Sequence, residues 1–266
     1  LIKKLSITMP ISQVLVSVGL VGLFVLSGIA FITKSKLFKI ETRKTTFFFR
    51  MFCELVSSIL FVVTIVYVSL SLSSAILQAT PIIIALGGSL FLKQSISNKQ
   101  WILILIGLIG VLLVIQPGTK NFNSLAFLAV IGVFFLALRD LATRSISKSI
   151  PPISIAFWGF FSLTLGGFVC IPFFDTFQPY SMQSLWLIFV SAFFGPIAYL
   201  CLVHATRAGD VGIVAPFRYL RLPFALVLGH YFFDERVDSF MLIGSILIII
   251  SGVLIIFSTG KSLQSR

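Results

Sequence analysis

Long apolar segments separated by short polar loops dominate this sequence. Apolar runs bounded by charges, Pro or Gly lie at about residues 10–33, 47–69, 71–92, 98–115, 122–144, 151–173, 182–206, 210–232 and 236–258. A hydrocarbon core about 30 Å thick requires about 20 apolar residues in a helix. Lipid satisfies no backbone polar group, and the runs are too long and too uniform for barrel strands. The pattern therefore predicts nine spanning helices and no soluble domain between them.

The two halves of the chain resemble each other when the sequence is shifted by about 142 residues. The shift lays MPIS at 9–12 on PPIS at 151–154, and FLKQSIS at 91–97 on FFDERVD at 232–238. The second half then contains five helices and the first half four. The missing mate of the helix at 122–144 is expected to precede residue 1. Because five is odd, a tandem copy enters the membrane upside down.

These observations predict an all-α polytopic membrane protein built as an inverted repeat of five-helix units. Residues 1–118 are the first repeat, with four of its five helices, and residues 119–266 are the second repeat. The plan is a ten-helix bundle, of which nine spanning helices are expected in this sequence.

Composition agrees with the membrane class and limits the chemistry. Apolar residues make up 58% of the chain and charged residues 11%, against about 45–50% and 25% in soluble domains. The net charge of +12 could suggest nucleic acid, but the basic residues are scattered singly through short loops. We therefore expect no nucleic-acid partner. Cys53, Cys170 and Cys201 lie inside apolar runs without paired spacing, so we expect no disulfide, metal or cofactor.

Loop lysines and arginines predict the orientation of the chain. Alternate sides of the membrane carry thirteen and four of them. The thirteen are Lys34, Lys36, Lys39, Arg43, Lys44, Lys93, Lys99, Arg139, Arg144, Lys148, Arg207, Lys261 and Arg266, and the four are Lys3, Lys4, Lys120 and Arg236. Because cytoplasmic loops are enriched in Lys and Arg, the C-terminus is predicted to be cytoplasmic, in a bacterial inner membrane.

The run at 210–232 carries two arginines at midplane depth. At about 1.5 Å per residue, Arg218 and Arg221 lie roughly 12 and 17 Å along the helix, and each costs about 2.5–3.5 kcal/mol there on insertion scales. Their i,i+3 spacing places them on one side, and Pro216 and Pro223 are expected to break the helix around them. Either the arginines bind a carboxylate or phosphate of the substrate, or they bond freed carbonyls and a neighbouring acid.

Glu54 is predicted to be the only acidic residue well inside a span. Arg50 precedes it by one turn, and this i,i+4 spacing lets the two groups partly neutralise each other. A membrane carboxylate can serve as a proton-coupling group, or Glu54 can be the counter-ion of Arg50 or Arg221. Arg50 is close enough to a helix end for snorkelling to be its favoured interpretation. Two midplane arginines against one carboxylate leave a positive charge, which predicts an anionic substrate group.

Further polar and aromatic side chains are candidates for ligand contact. Tyr219 is one, because its hydroxyl needs a partner inside the bundle. Gln78 and Thr80 lie on the repeat-related helix beside Pro81, a third predicted helix break, although Thr80 can equally bond its own helix backbone. Other aromatic residues that could stack on a planar ring are Trp158, Phe194, Tyr199 and Phe217. Close helix approach is predicted at Gly107, Gly110, Gly244 and Gly252.

Three segments in this order carry a resemblance to a known family. They are SSAILQATPIIIALGGSLFL with a following helix that ends in GVLLVIQPG (73–118), ALRDLATRSIS (137–147), and GDVGIVAPFRYLRLPFALVLGHYFFDE (209–235). Together they resemble the EamA-domain group of the drug/metabolite transporter superfamily. The APFRYxR pattern looks like that of members known for S-adenosylmethionine uptake. The chain departs from the family pattern in two ways. It has Lys93 and Gln94 where members often have Gly-Glu, and the first helix of the pattern is missing from this sequence.

The resemblance implies a ten-helix bundle whose central cavity opens alternately to either side. The leading hypothesis is a secondary transporter for a small organic metabolite with an anionic group, such as S-adenosylmethionine or an amino acid. The alternatives are a membrane-embedded enzyme and a truncated paralogue that does not transport. The expected partners are the metabolite and the lipid bilayer, and association into a homodimer is left open.

Overall fold

The computed structural model describes residues 1–38, 44–80, 82–84, 98–117, 123–173, 177–208, 221–235 and 237–264. At 144, 256 and 258–264 the backbone alone is described. Every regular element in these ranges is helical. The predicted all-α class is confirmed.

The α-helices of the described ranges are numbered here in chain order. They are α1 (Ile2–Leu5), α2 (Ile11–Ile32), α3 (Thr45–Tyr67), α4 (Leu70–Leu77), α5 (Asn98–Ile115), α6 (Ala126–Ser145), α7 (Pro152–Cys170), α8 (Met182–Ala208), α9 (Arg221–Phe233) and α10 (Ser239–Gln264). A 3₁₀ turn, Ile171–Phe173, follows α7.

Within the described ranges, six helices are long and apolar enough to span a bilayer. The spans are Ile11–Ile32, Thr45–Tyr67, Asn98–Ile115, Ala126–Thr143, Pro152–Phe173 and Met182–Arg207. They match six of the predicted runs. The runs at 71–92 and 210–232 include residues outside the described ranges, and the run at 236–258 is observed as α10, whose apolar part is Ser239–Ile255. The count of nine and the inverted repeat therefore stay predictions.

Local sequence explains where several helices begin and end. Pro10 and Pro151 hold extended backbone directly before α2 and α7, because a proline ring fixes φ and suits the position before a first turn. Left-handed residues end three helices, since Lys34, Gln116 and Asp234 have φ near +51°. At Lys34 the next residue closes the helix end, where the backbone N–H of Ser35 donates to the carbonyl of Ala30 at 2.9 Å.

The described chain divides into two compact units. Unit 1 contains Leu1–Val63 and Arg139–Ala208, and unit 2 contains Thr64–Leu138 and Gly209–Arg266. Each unit therefore combines segments from both halves of the sequence.

In unit 1, α2 packs along α7, and α8 packs against both helices. Glycines allow the close approach, because a Cβ atom at Gly167 would lie 2.7 Å from the backbone nitrogen of Val16. A buried cluster of Leu26, Ala156 and Phe160 fills the other end of this contact. These contacts hold α2, α7 and α8 together in unit 1.

In unit 2, α5 packs on α10 through glycine. A Cβ atom at Gly110 would lie 2.8 Å from the carbonyl oxygen of Gly244, and one at Gly244 would lie 2.6 Å from the carbonyl oxygen of Gly110. At Gly107, a Cβ atom would lie 2.6 Å from the hydroxyl of Ser251. The close approach predicted at Gly107, Gly110 and Gly244 is confirmed.

A carboxylate holds the start of α4 in unit 2. Glu235 Oε1 accepts from the backbone N–H of Leu70 at 2.6 Å, and Oε2 accepts from the backbone N–H of Ser71 at 2.9 Å and from its hydroxyl at 2.7 Å. Ser69 caps the same turn by accepting from the backbone N–H of Leu72 at 3.1 Å. A negative charge is favourable at a helix N-terminus, so Glu235 joins the end of α9 to α4.

Candidate functional site

Glu54 and Arg50 form an ion pair in the middle of α3. Glu54 is the tenth residue of α3, about 14 Å from its start at about 1.5 Å per residue. Its Oε2 lies 3.0 Å from Arg50 Nη2. The exposed fractions are 5% for Glu54 and 1% for Arg50. The predicted i,i+4 pair is confirmed, whereas the snorkelling interpretation of Arg50 is wrong, because its charge is paired inside unit 1.

Arg139 on α6 binds the other oxygen of the same carboxylate. Its Nη1 lies 3.0 Å from Glu54 Oε1. Its Nη2 and Nε donate to Asp140 Oδ1 at 2.7 and 3.1 Å. Both residues are buried, with 6% and 3% exposed. Glu54 is therefore shared between two guanidinium groups, one from its own helix and one from α6.

Tyr199 on α8 completes the contact. Its hydroxyl donates to Glu54 Oε2 and accepts from Arg50 Nη2 at 2.7 Å. The guanidinium carbon of Arg139 lies 5.8 Å from the centre of the tyrosine ring, within the range of a cation–π interaction. We call Arg50, Glu54, Arg139, Asp140 and Tyr199 the Glu54 network.

Packing from α6 and α7 fixes the geometry of the network. Thr143 accepts from Arg50 Nε at 3.3 Å and donates to the backbone carbonyl of Arg139 at 2.8 Å. Gly159 lies directly against Tyr199, because a Cβ atom there would be 2.8 Å from the tyrosine oxygen. Phe160 contacts the same ring edge to face, with ring centres 5.8 Å apart. The tyrosine hydroxyl is thus held at the carboxylate from the α7 side.

The formal charges of the Glu54 network cancel. The network contains two guanidinium groups, Arg50 and Arg139, and two carboxylates, Glu54 and Asp140. Buried charges are stable in a low-dielectric interior only when paired and hydrogen-bonded. One donor nitrogen, Arg50 Nη1, is buried without a hydrogen-bond partner among the described residues.

Aromatic residues line one side of α3 near the network. Trp158 packs edge to face against Phe47, with ring centres 6.1 Å apart, and against Phe161 at 5.2 Å. Phe194, another predicted stacking residue, is 62% exposed on α8. Trp158 therefore lies beside the network, of which Tyr199 is a member, and stacking of either residue on a ligand stays a prediction.

The predicted arginine site falls mostly outside the described residues. Arg218, Tyr219, Pro216 and Phe217 lie there, as does Pro81. Arg221 is described and exposed as the first residue of α9. Pro223 is the third described residue of α9, and because the residues before Arg221 lie outside the described ranges, the helix break expected there stays a prediction. Ligand binding by Arg218 and Arg221 stays a prediction.

Gln78 and Thr80 are buried at the end of α4, with 4% exposed in each case. Gln78 is the C-terminal cap of the helix. The hydroxyl of Thr80 donates to the carbonyl of Leu77 at 2.5 Å. The alternative interpretation of Thr80, a bond to its own helix backbone, is therefore confirmed for this conformation, and contact of either side chain with a ligand stays a prediction.

Sequence reasoning missed the contribution of α6. It counted Arg139 among the loop charges and took Glu54 to be the only acidic residue inside a span. Both points are wrong, because Arg139 and Asp140 are buried in α6 and bonded to each other and to Glu54. The adjacent Arg139 and Asp140 inside an apolar run were the available signal. Charged residues are rare in spanning helices, and those that occur there usually pair with one another inside the protein.

Comparison with known proteins agrees with this architecture. The model of the EamA-like transporter family matches residues 1–116 and 123–257. One solved crystal structure aligns with a TM-score of 0.63 at 16% identity, over 91% of this chain and 86% of that chain. At that identity the similarity supports the fold alone.

Curated relatives carry transporter names. The chain is 26% identical over 190 residues to an S-adenosylmethionine uptake transporter of Rickettsia prowazekii, covering 71% of this chain and 63% of the relative. It is 24% identical over 194 residues to a riboflavin transporter of Vibrio cholerae, covering 72% and 64%. An uncharacterized transporter of Helicobacter pylori strain J99 is 32% identical over 197 residues, covering 71% and 65%. The match thus spans a little under two thirds of each relative.

Proposed function

The chain belongs to the EamA-like transporter family, and we propose that it moves a small organic metabolite with an anionic group across a bacterial inner membrane by alternating access. Among the described residues, the Glu54 network carries this proposal. Four ionisable side chains are buried in spanning helices, and intramembrane ionisable residues mark substrate and ion pathways. A protein whose helices only had to pack together would not need them, since apolar contacts pack as well.

The substrate class is proposed from charge chemistry and from the relatives. Relatives of comparable identity are named for S-adenosylmethionine and for riboflavin, so identity alone does not select one substrate. Arginine is suited to bidentate contact with a carboxylate or phosphate. We propose S-adenosylmethionine, an amino acid or a similar metabolite, with Arg218 and Arg221 binding its anionic group.

Three further residues are assigned to ligand contact in this proposal. Tyr219 stacks or bonds next to the arginines, and Gln78 and Thr80 supply polar contacts from the helix that ends at Pro81. For Thr80 this requires the hydroxyl to leave the Leu77 carbonyl that it binds in the described conformation. The prolines at 81, 216 and 223 are the positions where the helices are proposed to open.

The proposed orientation has the C-terminus in the cytoplasm. Arg139 is buried in α6, so it no longer counts among the thirteen basic loop residues assigned to the cytoplasmic side. Twelve basic residues then face four on the opposite side. The bias keeps its direction, as the positive-inside rule requires.

Uptake by proteoliposomes tests the function. Purified protein is reconstituted and offered labelled S-adenosylmethionine, riboflavin and amino acids in separate assays. We expect saturable uptake of at least one of them, and loss of that uptake in Arg218→Gln and Arg221→Gln. Lys148→Gln is the matched control, because Lys148 is an exposed basic residue outside the spans. Normal uptake by both arginine variants would remove the substrate assignment, and no uptake of any compound would contradict the proposed function.

A further inference from the structure

The end of α9 is bonded to the start of α4 in unit 2, where the two helices pack together. Glu235 uses both of its carboxylate oxygens for this, because Oε1 accepts from the backbone N–H of Leu70 and Oε2 accepts from the backbone N–H and the hydroxyl of Ser71. Backbone N–H groups in the first turn of a helix have no partner within that helix. One side chain therefore supplies the acceptors that the start of α4 needs.

Main-chain contacts make Glu235 part of α9. Asp234 is left-handed, with φ of 51°, and the backbone N–H of Glu235 donates to the carbonyl of Gly229 at 3.1 Å. Gly229 lies in the last turn of α9, so this bond closes the helix end. Because the backbone of Glu235 is fixed to α9, separation of α9 from α4 at this end breaks the bonds of its carboxylate.

Gly229 leaves the space that the carboxylate occupies. A Cβ atom at Gly229 would lie 2.5 Å from Glu235 Oε2 and 2.5 Å from Ser71 Oγ. Glycine costs stability inside a helix, but any larger residue here would meet both partners of the bond. The carboxylate therefore lies between the two helices.

The surroundings of Glu235 allow its bonds to break in the folded protein. Glu235 and Leu70 are half-buried, whereas Glu54 and Arg50 are buried. When α9 and α4 separate at this end, water hydrates the carboxylate and the released N–H groups. No charge is then left unpaired in an apolar interior, which is the strongly unfavourable outcome of breaking a buried pair.

Polar side chains of α4 continue from Ser71 toward the proposed ligand contact. Ser74 and Gln78 follow Ser71 at i+3 and i+7, which places all three on one side of the helix. All three are buried, and Ser71 faces α9, because it lies against Gly229. Gln78 is about 10 Å along α4 from Ser71 at about 1.5 Å per residue. A ligand that shifts α4 at Gln78 therefore also shifts the N–H groups that Glu235 binds.

We propose that Glu235 is a positioning residue for transport, whose carboxylate holds α4 against α9 in the described state and releases it when this end of the two helices opens. We call the Glu235 carboxylate and its donors on Leu70 and Ser71 the Glu235 latch. The inference rests on the proposed function and adds the contact that closes one side. In the proposed orientation this end lies opposite the cytoplasm.

Thiol labelling at Ser74 tests the release of the latch without knowledge of the substrate. Ser74→Cys is built in a Cys201→Ser background, because Cys201 is exposed, whereas Cys53 and Cys170 are buried. The reaction of the purified full chain with a maleimide is followed in detergent at increasing urea concentration. The background protein without Ser74→Cys gives the rate of the native thiols.

The urea dependence separates opening of the latch from unfolding. Local opening exposes little surface, so we expect the thiol at position 74 to react with a weak urea dependence. Ser245→Cys on α10 is the matched reference, because Ser245 is buried in the same unit. It should react more slowly and with a steeper urea dependence. Equal rates and equal urea dependence at the two positions would overturn the proposal.

Replacement of Glu235 tests whether its carboxylate controls this opening. Glu235→Gln keeps the size of the side chain but loses the charge and one acceptor oxygen. We expect labelling at position 74 to become about tenfold faster or more, the factor for loss of one hydrogen bond to a charged group. Asp234→Asn, next in the chain and exposed, should leave the rate unchanged. An unchanged rate in Glu235→Gln would overturn the proposal. If that variant does not fold, Ser71→Ala, which removes one of the three bonds, takes its place with a smaller increase.

A disulfide across the latch tests its role in uptake. The position of a Cβ atom at Gly229 is 2.5 Å from Ser71 Oγ, so cysteines at these two positions are within reach of a disulfide. Ser71→Cys and Gly229→Cys are combined with Glu235→Ala, which removes the carboxylate that the new side chain would meet. We expect oxidation to abolish uptake by proteoliposomes and reduction to restore it. Each single cysteine variant, treated with the same oxidant, is the control. Full uptake by the oxidised protein, with the disulfide verified by mass, would overturn the proposal, and the labelling result decides if the disulfide does not form.

Failure of the latch and failure of the proposed function give different results. Uptake that continues in the oxidised disulfide variant leaves the proposed function and rejects the latch. Labelling that follows the expected pattern, without uptake of any compound by the wild type, supports an opening controlled by Glu235 and contradicts the proposed function.

Discussion

Arg139 Nη1 lies 3.0 Å from Glu54 Oε1, and the two residues are 85 positions apart in the sequence. The contact joins the second half of α6 to the middle of α3, inside unit 1. Because Glu54 also binds Arg50 and Tyr199, one carboxylate organises side chains from three helices. A change in its charge or position is therefore expected to affect all three helices together.

Replacement of Arg50 by lysine tests whether the network needs the shape of the guanidinium group or only its positive charge. Arg50→Lys keeps the positive charge but cannot reproduce the bonds of the planar guanidinium to Thr143, Glu54 and Tyr199. We expect the free energy of unfolding to fall by about 1.5–3 kcal/mol, the usual loss for hydrogen bonds to a charged group. Thermal unfolding in detergent measures it. Thr143→Val removes the weaker bond to Nε and should cost less. Equal stability of Arg50→Lys and wild type would contradict the network geometry.

Gly159 sets the position of Tyr199. Gly159→Ala places a Cβ atom 2.8 Å from the tyrosine oxygen and 3.0 Å from two ring carbons. The ring must shift from its position at Glu54, and overpacking of this kind costs about 1–3 kcal/mol. We expect lower stability and at least a partial loss of uptake. Gly195→Ala is the matched control on α8, since its Cβ would meet Phe160 at an ordinary 3.8 Å. Equal behaviour of the two variants would show that Tyr199 is not held from the α7 side.

Glu235 is expected to stabilise unit 2 through the start of α4. Glu235→Ala removes the acceptor of three hydrogen bonds from Leu70 and Ser71. Loss of a helix cap costs about 0.5–2 kcal/mol, which hydrogen exchange at α4 and thermal unfolding can detect. Asp234→Asn is the neighbouring control, because Asp234 is exposed with φ of 51° and asparagine tolerates that conformation. Unchanged exchange at α4 in Glu235→Ala would contradict the capping role.

The contact between α5 and α10 depends on two glycines. Gly244→Val would drive side-chain atoms into the carbonyl of Gly110, which already lies 2.6 Å from the position of a Cβ atom. We expect the helices to separate and the protein to lose about 1–3 kcal/mol of stability. By contrast, Gly28→Ala should be neutral or gain up to about 1 kcal/mol, since alanine favours helix over glycine. Thermal unfolding of both variants checks this, and equal melting temperatures would refute the close contact.

The lengths of the apolar runs and the spacing of two charges were enough to predict the fold class and the ion pair within α3. Spanning helices depend on run length, and an i,i+4 pair such as Arg50 and Glu54 depends on helix geometry alone, so both can be read from the sequence. Contact between α3 and α6 depends on how distant helices pack. Arg139 lies about 9 Å from the end of α6 at about 1.5 Å per residue, where an arginine can either reach the membrane surface or pair inside.

Tyr199 could not be singled out for a similar reason. The chain contains 29 phenylalanines and 5 tyrosines, most of them in apolar runs. Nothing in the sequence distinguishes an aromatic residue that faces lipid from one that touches a carboxylate. The space beside Gly159 makes that distinction, and it appears only when α7 and α8 are packed together.

A double-mutant cycle between Glu54 and Arg139 tests the central claim most directly. Unfolding free energies are measured in one detergent for the wild type, Glu54→Gln, Arg139→Gln and the double variant. If the two charges compensate each other inside the spanning helices, the double variant should be more stable than the sum of the single losses implies, by about 1–3 kcal/mol. Additive losses, to within about 0.5 kcal/mol, would contradict the claim that Glu54 and Arg139 form one buried charge network.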